Sequence, residues 1–164
     1  VSINVQRVEV PPGSNDYVER AWQLKERIRR REGVLRQRHG FFTTAYERAT
    51  VFLYRDRSGD RLVGFATVRR DGYILFLAVD PDYRGQGFGR RLVASVADQH
   101  ATVTCHARTT NEDALAFYDS LGFERKDRVD GYYQDGGDAY FLQLGEEPSI
   151  RERLADRLNI GDRE

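Results

Sequence analysis

Between Phe76 and Val93 the chain reads Phe-Leu-Ala-Val-Asp-Pro-Asp-Tyr-Arg-Gly-Gln-Gly-Phe-Gly-Arg-Arg-Leu-Val, and this stretch restricts the fold more than any other. The apolar run from Tyr73 to Val79 predicts a buried strand. Asp80-Pro81-Asp82 stops it, because proline fixes φ and removes a donor. Gly85, Gly87 and Gly89 follow, and then Phe88, Leu92, Val93 and Val96 recur at helical spacing as far as Gln99. A strand, a glycine-rich turn and a helix in succession point several backbone N–H groups and a helix N-terminus at one spot, which is the physics of a phosphate cradle. Glycines there keep side chains from standing between the amides and an anion, although the same residues would also serve plain strand-to-helix packing.

Two phosphate-binding patterns are excluded by the residues themselves. A P-loop ends in Gly-Lys-Ser/Thr, whereas Gly89 is followed by Arg90 and Arg91. A dinucleotide fingerprint reads G-x-G-x-x-G with an acidic residue closing the next strand; here the spacing is G-x-G-x-G and that strand ends with Cys105 and His106. The pattern Arg84-x-x-Gly87-x-Gly89 instead resembles the pyrophosphate-binding signature of the GNAT superfamily of acetyl-CoA-dependent N-acyltransferases. A second match lies downstream at the proper distance. Asn111-x-x-Ala114-x-x-Phe117-Tyr118-x-x-x-Gly122-Phe123 resembles the next GNAT motif, a helix that ends at Gly-Phe.

The rest of the chain supplies the elements such a fold requires. Ile3, Val5, Val8 and Val10 mark a short strand closed by Pro11-Pro12-Gly13. Asn15 or Asp16 is placed to cap a helix whose apolar stripe is Val18, Trp22, Leu24 (or Lys25) and Ile28, with Gly33 ending it. A second helix is expected within Val34 to Arg48. Thr50 to Tyr54 and Leu62 to Val68 read as hairpin strands, and Asp71-Gly72 turns the chain into the Tyr73 strand. Thr102 to Ala107 reads as a strand parallel to the fourth, reached by a right-handed crossover. A helix from Asn111 to Leu121 and a hairpin formed by Phe123 to Tyr133 and Ala139 to Leu144 complete the order β-α-α-β-β-β-α-β-α-β-β, which is the GNAT order. The fold class expected is therefore α/β (α+β): a mixed, mostly antiparallel sheet splayed between strands 4 and 5, with helices on both faces. Residues 1–145 form one domain on this reading, and 146–164 a helical appendage with Ile150, Leu154, Leu158 and Ile160 on one side.

Composition narrows the setting. The 164 residues suffice for one domain with a core, and equal numbers of basic and acidic residues, 26 each, leave no global field for nucleic acid or anionic membrane. A lone cysteine, Cys105, excludes an internal disulfide and fits a reducing compartment. No apolar run has the length of a membrane span, and Val-Ser-Ile-Asn lacks the form of a signal peptide. The expected location is cytoplasmic, as a monomer or homodimer with no membrane or specific nucleic-acid partner.

What the resemblance implies for the site can be carried over residue by residue. Acetyl-CoA would be the cosubstrate, with no metal. Leu77, Ala78 and Val79 would bond the pantetheine arm along the split in the sheet. A bulge near Val79 would present an N–H to the oxyanion. Backbone N–H groups from Arg84 through Gly85, Gln86, Gly87, Phe88 and Gly89 to Arg90 would hold the pyrophosphate. The side chains of Arg84 and Arg90 either add ionic contacts or are solvated. Tyr118 matches the tyrosine that donates a proton to the departing sulfur; its bland alternative is packing on an amphipathic helix. Asn111 would bond the pantetheine, cap its helix, or do both.

The general base falls at Cys105-His106-Ala107-Arg108, where ribosomal-protein N-terminal acetyltransferases carry Leu-Glu-Val-Arg. Arg108 is retained and His106 stands at the glutamate position, either as a base titrating near neutrality or as a structural strand-end histidine. Tyr132, Tyr133 and Tyr140 resemble the tyrosines that line the peptide entrance of that branch, or else they alternate on a strand and pack the sheet. Phe41 and Phe42 would line the opposite wall or belong to the core. The arginines between Arg27 and Arg38 face an acidic substrate or coat a solvated helix. The resemblance implies acetyl transfer to a peptide α-amine; the alternatives are a small amine or lysine as acceptor, or a catalytically silent acyl-CoA-binding module.

Overall fold

The computed structural model describes residues 4–58 and 61–145. Its elements are β1 (Val5–Val10), α1 (Val18–Glu32), α2 (His39–Arg48), β2 (Thr50–Asp56), β3 (Arg61–Val68), β4 (Ile74–Val79), α3 (Phe88–Gln99), β5 (Val103–Arg108), α4 (Glu112–Ser120), β6 (Glu124–Val129) and β7 (Ala139–Leu144). A 3-10 turn, Pro81–Tyr83, stands between β4 and α3. This is the expected α/β order, with antiparallel sheets and four helices. The helix expected beyond residue 145 and the strand residue Ile3 lie outside the described residues.

The strands fall into two sheets, β1-β2-β3-β4 and β5-β7-β6. The described residues accordingly divide into two compact units: one holds those up to Arg69 together with Ile74–Asp98, and the other holds Arg70–Tyr73 with those from Gln99 to Gly145. The pairing breaks between the fourth and fifth strands, as the resemblance implies. A parallel fourth and fifth strand was the expectation from the crossover. The parallel pairing is confined to one bridge, Tyr73 with Thr104, and β5 otherwise pairs antiparallel with β7.

In the first unit, alternation along β2 assigns each helix to a face of the sheet. Val51 and Leu53 join Ala21, Leu24 and Ile28 of α1 and Phe42 and Tyr46 of α2 in the main core cluster. Tyr54 turns to the other face, where its ring lies 5.6 Å from Phe88 of α3. Gly64 lets α3 approach: a Cβ there would stand 2.7 Å from the Ala78 carbonyl and 3.2 Å from Leu92.

The start of α1 departs from the sequence reading. Neither Asn15 nor Asp16 caps it; Tyr17 does so in the left-handed region (φ 66°) with no side-chain cap bond. Asp16 is engaged elsewhere, its N–H donating to Ser14 Oγ and its carbonyl accepting from Tyr46 Oη. Tyr17 is held by Arg55, which donates to its hydroxyl at 3.1 Å. The buried stripe is Ala21, Leu24, Lys25 and Ile28, with Trp22 only half-buried. Lys25 is fully buried because its ammonium donates to the Gln37 carbonyl and to Glu26, and sits 4.6 Å over the Trp22 ring. Burial pushes its pKa down, against the pull of Glu26.

In the second unit, α4 packs through Leu115 and Tyr118, and the Tyr118 ring meets Phe123 at 5.0 Å. Gly72 sets the approach of the preceding segment to β5. Its carbonyl accepts from Thr104 N–H at 3.1 Å, its φ is +85°, and a Cβ would stand 2.3 Å from the Thr102 carbonyl. Gly72→Ala should therefore destabilise the fold by at least about 2 kcal/mol, seen as a Tm lowered by more than about 4 °C in a thermal melt. An unchanged Tm would contradict this packing.

Candidate active site

The glycine turn of the first unit is built from both ends. Asp80, 1 % exposed, caps the 3-10 turn, its Oδ1 accepting from Asp82 N–H at 2.9 Å. Tyr83 is buried and donates to Asp56 at 2.9 Å, and Phe88 is buried between Tyr54 and Tyr83. Gly85 (φ 77°) and Gly87 (φ 86°) between these anchors occupy a region that side chains resist. The first intrahelical bond of α3 runs from Arg91 N–H to the Gly87 carbonyl at 3.0 Å. The N–H groups of Phe88, Gly89 and Arg90 precede it, and a helix leaves such donors without an intrahelical acceptor. Arg90 and Arg91 put positive charge in the same turn, where the helix dipole favours anions. A cationic first turn with glycines ahead of it fits a diphosphate.

Leu77, Ala78 and Val79 lie on β4, whose partner in its sheet is β3 alone. The bulge expected near Val79 sits four residues earlier. Val79 pairs regularly with Gly64, while Thr67 pairs with Phe76 and Val68 with Ile74, leaving Leu75 as the extra residue. The Arg84 side chain, though exposed, is engaged: it forms a bidentate pair with Glu32 of α1, Nη2 to Oε2 at 2.8 Å. Phe41 and Phe42 separate, Phe42 being core and Phe41 62 % exposed, edge-on to Phe76 at 6.4 Å. Among the arginines of α1, Arg27 pairs with Asp80 and Arg29 with Glu26, and both side chains remain partly exposed.

The second unit gathers the ionisable candidates around β5. Cys105 and His106 face opposite sides of the strand by alternation. On one side Tyr118, buried on α4, lies beside the buried Cys105 thiol. Burial, with Cys105 adding to it, raises the Tyr118 pKa well above the usual phenol value; burial also pushes the Cys105 thiol up to about 12. On the other side the Tyr73 hydroxyl meets His106 Nδ1 at 2.6 Å, and the Tyr132 ring stacks on the imidazole at 4.1 Å and 14°. The Tyr73 and Tyr132 hydroxyls are 3.3 Å apart. Tyr73 is the residue that sequence reading missed, since an apolar strand run gave no reason to single out its first residue. Its signal was the Asp71-Gly72 turn, which places it beside Thr104.

Tyr132 and Tyr133 do not alternate on a strand, because β6 ends at Val129. They sit in a loop tied by Asp138, which accepts from Gly131 N–H and Arg128, and by Tyr133 N–H donating to the Gly137 carbonyl. Arg108 lies 4.0 Å over the Tyr133 ring and pairs with Asp135 at 3.1 Å. Burial pushes the Tyr133 phenol up to about 12. Tyr140 is not brought to this group: Phe141 meets His106 at 5.1 Å, while Tyr140 lies beneath Arg125 at 4.9 Å. Asn111 caps α4, its Oδ1 accepting from Ala114 N–H at 3.1 Å.

Residues 47–125 match the acetyltransferase (GNAT) domain family. N-alpha-acetyltransferase RimI of Mycobacterium tuberculosis is 39 % identical over 97 residues, which is 53 % of this chain and 61 % of that protein. The ribosomal-protein-S18-alanine N-acetyltransferase of Escherichia coli superposes with a TM-score of 0.70 at 24 % identity, covering 90 % of this chain and 98 % of that one. Naa50 of Arabidopsis thaliana, solved with the bisubstrate analogue CoA-Ac-MVNAL, superposes at 0.64 with 25 % identity, covering 87 % and 99 %. The sequence match over residues 47–125 and the shared fold liken this chain to GNAT acetyltransferase domains. The chain spans 22–63 % of the length of the curated relatives it matches.

The buried acids predict how stability depends on pH. A thiol whose native pKa stands at about 12 against an ordinary 9.0 favours the native state fully below pH 9.0, and that support is lost as the pH rises to about 12. Tyr133, raised from 10.0 to about 12, acts in the same direction. Urea titrations should give a midpoint insensitive to these groups up to about pH 9 and falling above it. A midpoint steady to pH 11 would show that neither group is held protonated by the fold.

Proposed function

We propose that this protein transfers the acetyl group of acetyl-CoA directly to the α-amine of a peptide N-terminus, in the cytoplasm. Support comes from the GNAT match and from relatives named N-alpha-acetyltransferase. The observation that carries the reading is the 2.6 Å contact between Tyr73 and His106 Nδ1 under the Tyr132 ring. Packing alone does not require an imidazole and a phenol to share a proton at a half-exposed position.

The chemistry assigned to these groups follows from their acidities. The N–H groups from Arg84 to Arg90 hold the diphosphate, and outward N–H groups of Leu77–Val79 bond the pantetheine and face the developing oxyanion. Acetyl-CoA supplies an activated acyl group on a sulfur leaving group. An α-amine of pKa about 8 is partly neutral near pH 7, so the proton to be removed appears mainly as the new C–N bond forms. Tyr73 takes that proton on its oxygen while passing its own to His106 Nδ1, an imidazole nitrogen being a competent base near neutral pH. Tyr118 serves the sulfur. Its pKa is raised by burial, so it acts as a hydrogen-bond donor to the departing thiolate more readily than as an acid that surrenders its proton. Phe41, Tyr132 and Tyr133 offer aromatic surface to the peptide.

Mass spectrometry of peptide N-termini, polyamines and free amino acids incubated with labelled acetyl-CoA should find label on peptide α-amines; label on small amines alone would overturn the acceptor. His106→Ala and Tyr73→Phe should each lower kcat by about 100-fold between pH 6 and 9, and the double variant should fall little further, because the two form one relay. Additive losses would separate them.

A further inference from the structure

The ion pairs at the C-terminal half of α1 converge on the glycine turn. Arg27 Nη2 meets Asp80 Oδ2 at 2.5 Å, and Arg61 Nη2 of β3 meets the same oxygen at 2.7 Å. Arg61 also reaches Asp82 at 3.0 Å, and its guanidinium holds the Asp82 carboxyl below the usual range. Five residues beyond Arg27, Glu32 takes Arg84 in the bidentate pair. Asp80 precedes the 3-10 turn and Arg84 closes it, so α1 grips the turn at both of its ends. Arg84 is the last residue before the left-handed Gly85. The backbone that follows has the conformational freedom of two glycines, and its direction is set by whatever fixes Arg84.

Resting on the reading that acetyl-CoA binds this turn, we infer that Glu32 and Arg84 are positioning residues for the diphosphate cradle: Glu32 anchors the Arg84 side chain to α1, and thereby aims the amides of Gly85 to Arg90. The guanidinium spends its fork on a carboxylate, and the anion is left to the main chain and the helix end. The Arg84 guanidinium beside it holds the Glu32 carboxyl below its usual range, so the pair is charged throughout neutral pH. Both side chains are partly exposed, 43 % and 34 %, and pairs of that kind contribute little to stability. Breaking the pair therefore leaves the fold intact while loosening the turn.

The sign of the effect separates positioning from direct contact. If Arg84 bound the diphosphate itself, Glu32→Gln would release it and tighten acetyl-CoA. If the pair aims the amides, Glu32→Gln weakens calorimetric acetyl-CoA binding by about five- to tenfold, with Tm and kcat little changed. Arg84→Glu alone weakens it at least as much. Combining Glu32→Arg with Arg84→Glu rebuilds the pair in reverse and restores affinity to within about threefold of the starting protein. Tighter binding in Glu32→Gln, unchanged binding, or a reversed pair as weak as Arg84→Glu alone each overturns the inference. A starting protein that binds no acetyl-CoA would instead remove the proposed function on which the inference rests.

Discussion

Much of the first unit depends on where the Asp80 carboxylate goes. It is nearly inaccessible to water, and a buried carboxylate is costly unless charges and donors surround it. Here two guanidiniums share one oxygen and the Asp82 amide takes the other, while the Asp80 N–H donates to the Val63 carbonyl at 2.8 Å. A helix, a neighbouring strand and the residue's own turn are thereby joined at the point where β4 stops. Everything after it, including Tyr83, the two left-handed glycines and the start of α3, takes its direction from that knot.

The second unit solves a different problem with aromatic rings. β5 brings a thiol and an imidazole to opposite sides, and phenols meet each of them: Tyr118 with Cys105, Tyr73 and Tyr132 with His106. Burial keeps Tyr118 and Cys105 in their neutral forms, whereas His106 stands between a hydroxyl and an exposed ring. Arg108 supports this arrangement at one remove, stacking on Tyr133 and pairing with Asp135 so that the loop carrying Tyr132 is held.

The strand–glycine–helix succession and the order of elements were legible because period and turn chemistry are local properties. Gly85 and Gly87 announced a turn free of side chains, and Asn111 announced a helix start. What sequence could not convey were partnerships made at a distance. Glu32 and Arg84 are 52 residues apart, and nothing in either neighbourhood marks the other. Tyr73 reads as one more apolar strand residue until Gly72 is seen against Thr102 and Thr104. The bulge at Leu75 is a matter of register between β3 and β4, which no single strand reveals. At Tyr17 a left-handed non-glycine residue defeated a sound capping rule, because Arg55 holds its hydroxyl.

The surroundings of Trp22 give the molecule an optical property. It is the only tryptophan in the chain, and its indole lies between the Lys25 ammonium at 4.6 Å and the His39 imidazole, edge-on at 4.9 Å. Lys25 is tied to the Gln37 carbonyl and His39 to Glu19, so both groups near the ring belong to the junction of α1 and α2. Fluorescence excited selectively at the tryptophan thus reports on that junction, and any event that reorders it changes the colour or intensity of one chromophore without a dye.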